Sequence, residues 1–264
     1  MNKIQKIAGV LSSQEILELI HKNVITSENG IEKDLIQPAS IDLRLGIKAW
    51  RVPASFLPGK GNKVSSRLKD LAMHEFSLID GAVLECGCVY IVKLLENISL
   101  TDNLTGIANP KSSTGRLDVF TRIIADGIQS FDKVSSGYNG PLYAEIAPHK
   151  FSIIIRENSR LSQLRFIRKN PTQMEQQRSI ISDRELSKLH ESSVKNPSGF
   201  GLVNGKAKIS DGLQLGVSLS NPNKIIGYKA KHYTPPIDLD KIKAYKTEDY
   251  WDPLFENHQK RLIL

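Results

Sequence analysis

A mainly β fold, of the sandwich or barrel kind, is predicted by three features of this sequence. Short apolar runs bounded by turn residues recur near 79–86, 88–95, 104–108, 118–125, 141–147, 151–155 and 161–168. Short strands at this density argue against a parallel α/β sheet. Ile41, Leu43 and Leu45 alternate with Asp42 and Arg44, the two-residue period of a half-buried strand. Helical signals, finally, are few. Ser12-Ser13-Gln14-Glu15 reads as a capping box ahead of an apolar face of Ile16, Leu17 and Ile20. Ser182-Asp183-Arg184-Glu185 reads as a second, predicting a helix to about Ser192.

The length of 264 residues allows one large domain or two modest ones, either with a real core. A hydrophobic share of 40% with 24% charged residues is ordinary for a globular chain. No apolar run approaches the roughly 18 residues of a membrane span, and the basic N-terminus lacks a signal-peptide core. A cytoplasmic protein without a membrane partner is expected. The net charge of +8 suits polyanionic partners, but the Lys and Arg residues are scattered with few aromatics among them. No nucleic-acid partner is expected. The two cysteines, Cys86 and Cys88, are expected to be reduced thiols in a buried strand.

Residues 50–75, with Pro53, Pro58, Gly59 and Gly61, read as an irregular, mobile excursion. Residues 193–211 read as a linker between a unit at 1–192 and a segment at 212–264. In that segment, Gly212-Leu213-Gln214-Leu215-Gly216-Val217-Ser218-Leu219 repeats the alternation around Ile41–Leu45. A partial second copy of the first unit is expected there, packed on the first unit or on a neighbouring subunit because its apolar residues have no closed core of their own.

Two runs carry chemistry. In Asn109-Pro110-Lys111-Ser112-Ser113-Thr114-Gly115-Arg116, three hydroxyls, a lysine and an arginine surround a flexible glycine. Such a turn can wrap an anion, or can simply start a helix. It is not a Walker A loop. In Gly137-Tyr138-Asn139-Gly140-Pro141-Leu142-Tyr143-Ala144-Glu145, a glycine-framed turn feeds a strand. Leu142, Ala144 and Ile146 share one face of it, Tyr143 and Glu145 the other. Glu145 is either a general base with a tuned pocket or an exposed strand glutamate.

Together with Gln37–Gly46 and Leu161-Ser162-Gln163-Leu164-Arg165-Phe166, these runs resemble, in the same order, the dCTP deaminase branch of the dCTP deaminase/dUTPase superfamily. The resemblance covers about residues 10–168. It implies a dUTPase-like distorted β-barrel or jelly roll with a few short helices, assembled as a homotrimer with active sites at subunit interfaces. It implies hydrolytic deamination of dCTP to dUTP and ammonia, with a deoxynucleoside triphosphate as ligand. On matching positions, Glu145 is the general base, and Ser112 and Arg116 assist it. Lys111 and Ser113 contact phosphate, the backbone at Ala125 reads the base, and Asp42 is structural.

The ligands of a zinc deaminase, a His or Cys with Pro-Cys-x-x-Cys, do not occur. No zinc or protein-held metal is therefore expected, with Mg2+ bound only through the triphosphate. The stretch between Arg116 and Glu145 is longer than usual, so Asp132 aligns only with a gap. The other readings are a dUTP pyrophosphatase or bifunctional enzyme, and a catalytically inactive nucleotide-binding or assembly module.

Overall fold

The computed structural model describes residues 8–169, 181–195, 201–216 and 225–255. The helices are α1 (Ser13–His21), α2 (Val64–Leu71), α3 (Ser112–Arg116), α4 (Asp183–Lys195) and α5 (Thr247–Tyr250). The first strands are β1 (Gly9–Val10), β2 (Ile25–Thr26), β3 (Ile36–Gln37), β4 (Ser40–Leu43), β5 (Leu45–Val52), β6 (His74–Ser77) and β7 (Ala82–Leu84). Then come β8 (Val89–Ser99), β9 (Leu104–Pro110), β10 (Val119–Ala125), β11 (Lys133–Val134), β12 (Asn139–Pro148), β13 (Ile153–Ile155) and β14 (Ser162–Arg168). The last are β15 (Lys208–Ile209), β16 (Leu213–Gln214), β17 (Ile225–Ala230), β18 (Ile237–Asp238) and β19 (Trp251–Phe255).

The chain divides into two compact units. One is Met1–Met174 with Ala230–Tyr250; the other is Glu175–Lys229 with Trp251–Leu264. In the first, one sheet runs β11-β9-β14-β4-β3 with β1 on β14, and a second runs β10-β12-β8-β5-β6 with β2 on β8. Their buried residues form one apolar cluster that includes Ile41, Leu43, Ile91, Val92, Ile123, Ala144, Leu164 and Phe166. The mainly β expectation holds. In the second unit, α4 opens on a reciprocal box: Ser182 N–H donates to Glu185 Oε2 at 3.0 Å, and Glu185 N–H to Ser182 Oγ at 3.4 Å. Strands β15 and β16 pair as a short hairpin. Val217, Ser218 and Leu219, expected as strand, lie outside the described residues.

Three expectations need correction. The Ile41–Leu45 stretch is not half-buried, because Asp42 and Arg44 are enclosed as completely as their apolar neighbours. Each has a partner: Asp42 accepts from Lys111 Nζ, and Arg44 donates from Nε to Glu96 Oε1 at 2.7 Å and from its backbone N–H to Oε2 at 2.8 Å. Arg44 stands where the chain leaves the first sheet for the second, so its side chain ties the corner. Gly46 follows because a Cβ there would meet the Lys93 carbonyl oxygen at 2.7 Å.

The 50–75 stretch is irregular only over 53–63. It completes β5, forms α2 and leads into β6. Val64 and Leu68 bury one face of α2, and the Asp126 carboxylate accepts the Val64 N–H at 2.7 Å. That cap lies 62 positions away in sequence, so local reading misses it. Cys86 and Cys88, lastly, flank a turn at Gly87 (φ +81°) instead of lying in a buried strand. Both thiols are free, and Cys86 is exposed.

Residues 230–250 belong to the first unit. There β18 adds in parallel to β13, which pairs with β7 on its other side. Among the described residues, no helix is long and apolar enough to cross a membrane.

Candidate active site

The register of β10 on β12 sets Arg122 directly opposite Glu145 and Ala125 opposite Leu142. Both faces of β12 are buried from Leu142 to Pro148, so Glu145 is only 1% exposed and is not a solvated strand glutamate. Arg122 donates to Glu145 Oε1 from Nε at 3.1 Å and from Nη2 at 2.5 Å. Oε2 is buried with no hydrogen-bond partner among the described residues. Leaving a buried acceptor unmet costs about 1–3 kcal/mol, and more when it is charged. The guanidinium lies over the ring of Phe131 at 3.5 Å and of Phe120 at 4.7 Å, a cation–π arrangement that replaces part of its lost hydration.

Asp132 braces the same strand. Its carboxylate accepts the Ile123 N–H at 2.8 Å, and its own N–H donates to the Ile123 carbonyl at 2.9 Å. Burial pushes this carboxyl above the usual aspartate range, against the pull of the Ile123 N–H and of Arg122. Past Ala125, the backbone N–H of Asp126 donates to Tyr138 Oη at 3.3 Å, and that hydroxyl donates to the Pro141 carbonyl at 2.5 Å. Burial raises the Tyr138 phenol well above its ordinary value, so it stays protonated as a donor. A Cβ at Gly140 would meet Tyr138 Oη at 2.9 Å, so a side chain there would displace the hydroxyl that anchors the turn. The glycine-framed turn is thus pinned onto the end of β10, beside Ala125.

The other predicted residues cluster apart from Glu145. Lys111 is the N-cap of α3, so the run does start a helix, although Lys111 makes no side-chain cap. Its ammonium is engaged by Asp42, a residue expected to be structural. Ser112, Ser113 and Arg116 are exposed, and none makes a side-chain hydrogen bond or ion pair among the described residues. Arg116 precedes β10, whose first residue, Val119, pairs with Pro148. The Arg122–Glu145 pair lies three residues further, about 10 Å along the strand. No hydrogen bond among the described residues joins α3 to Glu145. A cavity of about 330 Å3 opens beside α3, between Ser113 and Thr114 on one side and Lys241, Lys243 and Tyr245 on the other.

Sequence reasoning missed Arg122, Phe131 and Ser55, whose hydroxyl accepts from Arg122 Nη2 at 2.7 Å. Nothing local marks them, because their importance comes from strand register. No group of three or more His, Cys, Asp or Glu residues among the described residues is placed to hold a metal ion.

Comparison with known proteins gives a consistent result. Residues 7–170 match the profile of the 2'-deoxycytidine 5'-triphosphate deaminase (DCD) N-terminal domain, and residues 182–264 that of its C-terminal domain. A dCTP deaminase of Haemophilus ducreyi is 26% identical over 165 residues, covering 59% of this chain and 81% of the relative. The crystal structure of 2'-deoxycytidine 5'-triphosphate deaminase from Agrobacterium tumefaciens superposes with a TM-score of 0.84 at 43% identity. That match covers 95% of this chain and 71% of the other.

Proposed function

Because this chain belongs to the 2'-deoxycytidine 5'-triphosphate deaminase family, we propose that it hydrolyses dCTP to dUTP and ammonia in the cytoplasm, with Glu145 as general base. The observation that carries the proposal is the buried Glu145 carboxylate with Oε2 left unpartnered. A group this costly to enclose suits a role in which a substrate or a water completes it. Glu145 takes a proton from water as the oxygen bonds to C4 of cytosine. Glu145 delivers that proton to the ring nitrogen N3, where it stays, then moves the proton of the new C4 hydroxyl to the amino group; the C4 carbonyl forms, the C4–N bond breaks and ammonia leaves. Ser112 and Arg116 steady the water and the charge that develops on the ring.

The exposed hydroxyls and guanidinium of α3 have no partner among the described residues, which supports a site completed between subunits of a homotrimer. Lys111 and Ser113 then face the phosphates, and the backbone at Ala125 faces the base. In this reading Mg2+ is held by the triphosphate oxygens and no zinc takes part. The chemistry it supplies there is charge neutralisation of the phosphate chain.

The test is to incubate the protein with dCTP and, separately, dUTP in the presence of Mg2+, assaying ammonia and pyrophosphate independently. Ammonia from dCTP, lost in Glu145→Gln by about 10²-fold or more with nucleotide binding retained, is the expected result. Pyrophosphate release would instead mark a pyrophosphatase or bifunctional enzyme. Full activity in Glu145→Gln would remove Glu145 from its role.

A further inference from the structure

Glu145 is gripped by one oxygen only. A guanidinium facing a carboxylate commonly gives one donor to each oxygen. Here Nε and Nη2 of Arg122 both converge on Oε1, and Oε2 is left out. The convergence follows from register: Arg122 and Glu145 stand directly opposite each other on neighbouring strands, so the guanidinium reaches the carboxylate from the side. A third contact fixes the guanidinium itself. Nη2 also donates to Ser55 Oγ at 2.7 Å, on the segment that leads from β5 to α2, while Phe131 covers its face.

We infer that Arg122 is the positioning residue of this site. It stops the rotation of the Glu145 carboxylate through Oε1, so that Oε2 is the oxygen that exchanges a proton with the attacking water. Ser55 sets the plane of the guanidinium from the far side. The inference rests on Glu145 as the general base. A carboxylate's terminal torsion is otherwise broad, and a base that wanders by an ångström loses much of its rate. The arrangement also links the 53–63 segment to the Glu145 carboxylate, at Oε1, through a two-bond chain, Ser55 to Arg122 to Glu145.

Steady-state kinetics on dCTP with Arg122→Ala, Ser55→Ala and Glu145→Gln test this, with nucleotide binding measured by calorimetry. Arg122→Ala is expected to lower kcat by about 10- to 100-fold with KM within about twofold, since it acts on the base and not on binding. Guanidinium ion at tens of millimolar is expected to restore part of that kcat, and methylammonium is not, because only a planar ion offers two donors to Oε1. Ser55→Ala, an exposed change that leaves folding alone, is expected to lower kcat about two- to fivefold at constant KM. A wild-type kcat in Arg122→Ala, a loss that guanidinium does not relieve, or an unchanged Ser55→Ala would overturn the inference. If Glu145→Gln is inactive while Arg122→Ala is fully active, only the positioning role falls. If Glu145→Gln is active, the underlying assignment of the base falls instead.

Discussion

Arg156 holds Asp238 through two contacts, Nη1 to Oδ1 at 2.8 Å and Nη2 to Oδ2 at 3.1 Å, across 82 positions of sequence. The same Nη1 reaches Asp240 Oδ2 at 2.8 Å. The Asp238 N–H donates to Tyr245 Oη at 2.7 Å, and Tyr250 packs edge-on against Phe151. The parallel pairing of β18 with β13 is therefore closed by a forked ion pair at one end and aromatic contact at the other.

The first prediction concerns this closure. The Arg156 hydrogen bonds hold the Asp238 carboxyl below its ordinary value of 3.8, against a smaller opposing effect of burial. A lowered folded-state pKa means the stabilisation is complete above pH 3.8 and is lost as pH falls through the folded value. Asp238→Ala is expected to speed amide hydrogen exchange across 237–250 at neutral pH, while β10 and β12 keep their protection. The wild type is expected to show the same loosening only below about pH 3.8. Equal exchange in variant and wild type at pH 7 would dismiss the ion pair as the clasp.

A second prediction concerns the corner between the two sheets. Arg44 meets the fully enclosed Glu96 and also donates from Nη2 to Ser27 Oγ at 3.0 Å and to the Gly30 carbonyl at 2.6 Å. Arg44→Met removes the charged partner of the buried carboxylate, leaving it the backbone N–H of the same residue, and is expected to cost about 3–5 kcal/mol. Urea unfolding measures this as a large fall in midpoint. A shift under about 1 kcal/mol would mean that water or a rearranged group satisfies Glu96.

Tyr138→Phe probes the turn beside Ala125. It removes the donor to Pro141 and the acceptor for Asp126, both partly buried. The expected cost is about 1–3 kcal/mol, read as a lowered thermal midpoint. An unchanged midpoint would show that the hydroxyl does not anchor the turn.

Complementation tests whether the site is shared between subunits. Glu145→Gln and Arg116→Ala are each expected to be inactive alone. Mixed and reassembled, they are expected to regain activity, because some interfaces then pair an intact Glu145 with an intact Arg116. Continued inactivity after verified subunit exchange would place both residues in one chain's site.

Lys111 and Arg116 are expected to part ways in kinetics and in stability. Arg116→Ala mainly lowers kcat, whereas Lys111→Ala raises KM for the triphosphate. Lys111→Ala also strands the buried Asp42, at an expected cost of about 1–3 kcal/mol, while Arg116, exposed and unpaired among the described residues, costs almost nothing. Identical KM effects and identical stabilities would erase the distinction.

Much of this protein was legible in its residues alone. The alternation of Ile41, Leu43 and Leu45, the turn-bounded apolar runs and the two capping boxes place most strands and the helices α1 and α4 close to where they stand. Glu145 and the Lys111–Arg116 run were found by motif order. Only the tertiary structure decided what these residues touch. Arg122 meets Glu145 across 23 positions, Arg44 meets Glu96 across 52, and Lys111 meets Asp42 across 69. Hydrophobic period reports which face of a strand is buried, and it does so within a few residues. Pairing of buried charges depends instead on strand register and on where the chain changes sheets, which are settled by packing over the whole core. That is why a strand pattern could announce a carboxylate at 145 but could not say which arginine would hold it, or by which oxygen.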